Sequence, residues 1–98
     1  MSLDALKRFN PLLDDEKEYV GAYVKVEQYT QLRLTFYSDI LLEINIIFSP
    51  DGVTDAIVNN YKSNNAWSTM RIDVVLPYAK LYIKRISDAP NKTLCINV

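Results

Sequence analysis

Between Tyr19 and Val98, apolar residues recur at every second position in a series of stripes, and this rhythm narrows the possible folds more than any other feature of the chain. Successive side chains of a β-strand point to opposite faces, so strict alternation marks a strand with one buried face and one wetter face. Val20, Ala22, Val24 and Val26 alternate with Tyr19, Gly21, Tyr23 and Lys25. The pattern returns in Leu32, Leu34 and Phe36, in Leu42, Ile44, Ile46 and Phe48, and in Met70, Ile72, Val74 and Leu76. Ala79, Leu81 and Ile83 carry it on, and Leu94, Ile96 and Val98 end it. Ile57 and Val58 give a weaker, shorter stripe. Turn formers stand between the stripes: Ser38-Asp39, Ser49-Pro50-Asp51-Gly52, Asn59-Asn60, the Lys62-Ser63-Asn64-Asn65 loop, and Ser87 to Lys92. Pro77 breaks two stripes apart, as proline does at strand ends and edges. Short strands at regular spacing predict an all-β, antiparallel two-sheet sandwich and not βα units.

Before Tyr19 the spacing differs. Leu3, Leu6 and Phe9 fall three apart, Ser2 is a capping residue, and Pro11 stops a helix, so residues 2–9 read as a short helix or arm. Eight residues do not hold a helix alone in water, so this segment must dock on its own core or on a neighbour. The expected organisation is a helix or arm over 1–18 and a sandwich over 19–98. At 98 residues and 49% hydrophobic, the chain has the material for one core.

Composition removes several functions. Eleven basic residues against twelve acidic leave a net charge of -1, so no nucleic-acid partner is expected. Asp14-Asp15-Glu16 is followed by Lys17 and reads as a solvated loop. No apolar run reaches membrane-helix length, Met1-Ser2-Leu3-Asp4 does not resemble a signal peptide, and Asn91-Lys92-Thr93 reads as a turn. The single cysteine, Cys95, cannot form an internal disulfide. The chain has no histidine, the commonest general base and metal ligand. The carboxylate pairs Asp51 with Asp55 and Asp14 with Asp15 fall in turns and loops, and Asp51 and Asp55 are too few for a calcium site. The expectation is therefore a protein that is not an enzyme, with no catalytic residue, cofactor or metal.

A resemblance adds to this reading. Gly21-x-Tyr23-x-x-Val26-x-x-Tyr29 precedes an alternating strand, then come Ser38-Asp39, a second strand and Phe48-Ser49-x-Asp51-Gly52. Pro77-Tyr78-Ala79-Lys80-Leu81-Tyr82-Ile83-Lys84 follows, with a last strand after it. In this order the elements resemble the β-sandwich modules of structural proteins from tailed phages and large DNA viruses, which are themselves similar to discoidin-like, galactose-binding-like jelly rolls. The resemblance covers about residues 19–98. It implies a jelly-roll-like sandwich and a structural or accessory virion protein, such as a minor capsid, decoration or fibre component, made in the host cytoplasm and located in the virion. Its expected partners are further copies of itself or other virion proteins.

Two surfaces follow as candidates. Tyrosine and exposed apolar side chains favour interfaces, which selects Leu3, Leu6, Phe9, Tyr37, Ile47, Val75 and Tyr82 as assembly contacts. The alternative is a carbohydrate-binding module that uses loops at one end of the sandwich, with Tyr61, Asn64, Asn65, Trp67 and Tyr78 as contacts.

Overall fold

The alternating stripes form two antiparallel sheets packed face to face. The computed structural model describes residues 3–13, 15–86 and 92–98, among which there are eight strands and no α-helix. The readings placed on Ser2, Asp14 and residues 87–91 lie outside the described residues. One sheet runs β1 (Glu18–Val20), β7 (Tyr78–Arg85), β4 (Leu42–Ser49) and β5 (Ile57–Ser63), with β2 (Val24–Lys25) also paired to β7. The other runs β6 (Ser68–Asp73), β3 (Gln31–Ser38) and β8 (Leu94–Asn97). The even residues Leu32, Leu34 and Phe36 of β3 share one buried layer with Leu42, Ile44, Ile46 and Phe48 of β4 and Ala79, Leu81 and Ile83 of β7. Each leucine, isoleucine or phenylalanine of this layer contributes about 1.5–3 kcal/mol on burial, and Ala79 less. No helix among the described residues is long and apolar enough to cross a membrane.

Three expectations need correction. The stripe Val20, Ala22, Val24 and Val26 does not share a face. Val20 pairs with Tyr82 and Val24 with Ala79, so Gly21, Ala22 and Tyr23 stand opposite only Lys80 and Leu81. This extra residue is a β-bulge, and it shifts the phase of the alternation by one. Tyr19 therefore packs on the core and Val20 is 56% exposed, while Val26 beyond the bulge is fully buried. Gly21 sits where a Cβ would lie 3.1 Å from the Ala5 carbonyl oxygen and 3.2 Å from that of Leu81. A side chain there would push the N-terminal segment off the sheet.

The second correction concerns that segment, and only its helix alternative: the segment is an arm. It holds one 3-10 turn, Asp4–Leu6, and is otherwise extended. Arg8 and Ile96 exchange backbone hydrogen bonds of 2.9 and 2.7 Å, so the segment seals the outer edge of β8. Too short to hold a helix, the backbone satisfies its polar groups on a sheet edge instead. Leu6 and Leu12 are buried within this chain's own fold. Third, β5 runs through Asn59-Asn60 to Ser63, where turn formers predict a stop. It is an edge strand, and an edge tolerates polar residues that a central strand does not.

Candidate functional site

The outer face of the three-stranded sheet gathers the side chains best suited to binding. On β3 the odd residues Gln31, Arg33, Thr35 and Tyr37 point away from the core, because the even ones are buried. The β3–β6 register sets Gln31 opposite Asp73, Arg33 opposite Arg71 and Thr35 opposite Thr69. Gln31 Nε2 donates to Asp73 Oδ1 at 3.0 Å, and the two threonine hydroxyls lie 3.4 Å apart. Beyond them Tyr37 stacks on Trp67, with ring centroids 5.2 Å apart and planes 29° from parallel. The turn from β5 to β6 makes this stack possible. Asn65 adopts φ 55, a left-handed conformation that asparagine accepts better than most residues, and its N–H donates to the Ser38 carbonyl. Its Oδ1 accepts the Tyr37 hydroxyl at 3.0 Å. Trp67 is left 62% exposed, one face on Tyr37 and the other open.

Arg33 and Arg71 are the unusual pair. Like charges directly opposite each other on a sheet destabilise it. Both side chains are exposed, and neither makes an ion pair or hydrogen bond among the described residues. Two guanidinium groups, two hydroxyls and an open indole thus occupy one flat face.

The turn after β4 holds a second polar cluster, whose groups bond one another within the turn. Asp51 Oδ1 accepts from the N–H groups of Thr54 and Val53 at 2.8 and 2.9 Å and from Ser49 Oγ, and Oδ2 accepts from Thr54 Oγ1. The Thr54 and Val53 amides, then the Ser49 hydroxyl, hold this carboxylate well below the usual range. Gly52, at φ 79, lies against the Tyr78 ring. Nearby, the Tyr23 hydroxyl donates to Asp55, whose carboxylate lies 2.9 Å from Lys80 Nζ. Lys80 Nζ also sits 4.7 Å from the centre of the Tyr23 ring. Burial, then the hydrogen bond to Asp55, pushes the Tyr23 hydroxyl up to about 12, and the Tyr23 and Lys80 bonds lower Asp55.

These shifts give a pH prediction. The folded protein holds the Tyr23 proton more tightly than the unfolded chain, so this Tyr23–Asp55–Lys80 latch stabilises below a pH of about 10 and is lost as pH rises through about 12. Tyrosinate absorbance should show Tyr23 titrating late, with Tyr82 also raised by its hydrogen bond to Glu18, and Asp55→Asn should bring Tyr23 alone part of the way back toward the ordinary value. A wild-type titration with every tyrosine near 10 would remove the latch.

The structure scatters the residues expected from the sequence. Leu6 and Ile47 are buried in the fold and offer no surface, and Leu3 packs on the core. Phe9 and Val75 are 58% and 54% exposed; Phe9 makes no ring contact with the aromatic stack among the described residues, and Val75 follows β6 at the end away from Trp67. Tyr82, on the outer face of the five-stranded sheet, donates to Glu18 at 2.6 Å. Tyr61 packs against Phe36 with centroids 6.1 Å apart, and Tyr78 covers Gly52, so neither joins Asn64, Asn65 and Trp67. Only Tyr37, Asn65 and Trp67, taken from the two candidate sets, come together. Sequence reading missed Arg33, Arg71, Thr35 and Thr69. Alternation marks Arg33 as outward, but the strand register alone brings Arg71 to it. Comparison with protein-family models, curated proteins and solved structures finds no match to this chain.

Proposed function

We propose that this chain is a non-enzymatic assembly protein that makes its contacts through the three-stranded sheet, as a structural or accessory component of a virion. The virion setting rests on the resemblance of residues 19–98 to virion sandwich modules. The assembly role rests on one observation: the fold leaves the Tyr37–Trp67 stack and the opposed Arg33 and Arg71 uncovered on one face. Tyrosine, tryptophan and arginine dominate the energetics of protein interfaces, and a rigid aromatic pair loses little entropy on docking. Repetition of a modest contact around a symmetric assembly supplies avidity.

The open face of Trp67 beside the Asn65 amide favours a second reading, in which a sugar ring stacks on the indole. Native mass spectrometry and a glycan array on the same sample separate the two. Assembly predicts self-association with no glycan bound. A monomer that binds a glycan, and loses it in Trp67→Ala, would establish carbohydrate recognition instead.

A further inference from the structure

We infer that β6 is a docking edge for β6 of a second copy, aligned so that Ile72 faces Ile72 of that copy and Arg71 faces its Asp73. This rests on the assembly reading and specifies its geometry.

The backbone directions come first. Ile96 spends its N–H and carbonyl on Arg8, yet it stands opposite Phe36 in the β3–β8 register. In an antiparallel pair hydrogen-bonded and non-bonded positions alternate, so Phe36 turns its own N–H and carbonyl toward β6. Ser68, Met70 and Ile72 then bond to β3. Val74, whose N–H donates to the Thr30 carbonyl at 2.9 Å, continues the same parity. The N–H and carbonyl groups of Thr69, Arg71 and Asp73 therefore point outward, and no other described strand pairs with that edge.

The other edges are poorer templates. The N-terminal segment covers β8. β1 spans three residues and ends in the bulge. The outer edge of β5 presents Val58, Asn60 and Lys62 by the same reasoning, since Ile86 N–H bonds the Leu41 carbonyl and sends the even residues of β4 toward β5. Lys62 is the one charge there, so two β5 edges have no opposite charges to match. An uncovered edge strand is a ready template for a second chain.

Charge then chooses the register on β6. Two copies meeting antiparallel must keep outward side chains on the same face, so residues of like parity stand opposite each other. Pairing Arg71 with Arg71 repels. Pairing Met70 with Met70 sets Arg71 against Thr69. Pairing Ile72 with Ile72 sets Arg71 against Asp73 twice, with the outward backbone groups of both residues bonded across the join. It also brings the second copy's Asp73 carboxylate onto the Arg33–Arg71 pair, which makes no ion pair with its own Asp73, two residues along β6 and bonded to Gln31. Asp73 gives one oxygen to Gln31 and keeps the other available. Continued outward, the register covers Met70, 43% exposed, with Val74 of the second copy, and Val75, 54% exposed, with its Thr69. The joined sheet has six strands.

One strand pair is small beside the roughly 1,200–2,000 Å² of a standard interface, so the dimer is concentration-dependent. The test uses native mass spectrometry and sedimentation over a roughly hundredfold concentration range. Arg71→Glu and Asp73→Lys should each weaken self-association at least roughly tenfold, because each sets like charges opposite each other twice. Mixed in equal amounts, the two variants should recover a dimer of intermediate mass, since each then supplies the charge the other lacks. Circular dichroism of both variants checks that they are folded. Amide exchange at Arg71 and Asp73 should slow with concentration, while that at Val58, Asn60 and Lys62 should not. Wild-type association that ignores both substitutions would overturn the edge register and leave assembly standing. A wild-type monomer at every concentration would overturn both.

Discussion

Phe36→Ala should remove about 3–5 kcal/mol of folding stability, the usual cost of truncating a buried aromatic side chain to alanine. Phe36 is 1% exposed and lies on β3, the middle strand of its sheet, where it stands opposite Ser68 and Ile96. Its ring meets Tyr61 of the other sheet, so the truncation opens a gap where the two layers touch. A domain of this size holds roughly 5–15 kcal/mol in total, so the loss is a large fraction of it. Urea unfolding followed by circular dichroism should show a much lower midpoint, with Phe36→Leu falling between the variant and wild type. An unchanged midpoint would mean that the layer between the sheets is not the core.

The two-residue rhythm revealed the sandwich because burial acts on each strand locally. Leu32, Leu34 and Phe36, like Ala79, Leu81 and Ile83, are buried as their alternation requires. The first stripe misled because a bulge leaves no mark in the alternation itself. Val20, Ala22, Val24 and Val26 keep perfect spacing in the chain, while the extra residue opposite Lys80 and Leu81 turns Val20 outward. The N-terminal spacing of three was equally ambiguous, since Leu6 and Leu12 are buried by a 3-10 turn and extended backbone as well as by any helix. The binding face was half legible. Tyr37 and Trp67 could be singled out one by one, but their contact depends on the Asn65 turn and on a register joining residues thirty apart. The opposition of Arg33 to Arg71 is invisible without that register.

The combined substitution Leu6→Ala with Leu12→Ala should destabilise the fold by about 4 kcal/mol or more, since each truncation of a buried leucine costs about 2–5 kcal/mol. Both side chains are almost wholly buried, at 0% and 2% exposure, so they belong to the core of the chain that carries them. An arm that docked on a neighbour would behave differently: its loss would dissolve the assembly and spare the thermal melt of the monomer. The double variant should instead melt at lower temperature at every concentration. Amide exchange at Arg8 and Ile96 should speed up first, because their paired bonds hold the segment on β8. A second effect follows from which edges are sealed. Wild type has β6 to offer and β8 closed, so edge pairing stops at two copies. Releasing the segment opens β8 as well, and a sheet with two free edges can add copies without end. The variant should therefore pass from dimers to open-ended aggregates as it warms. A double variant that keeps both the wild-type melt and the wild-type mass would show that the segment neither completes the core nor guards the edge.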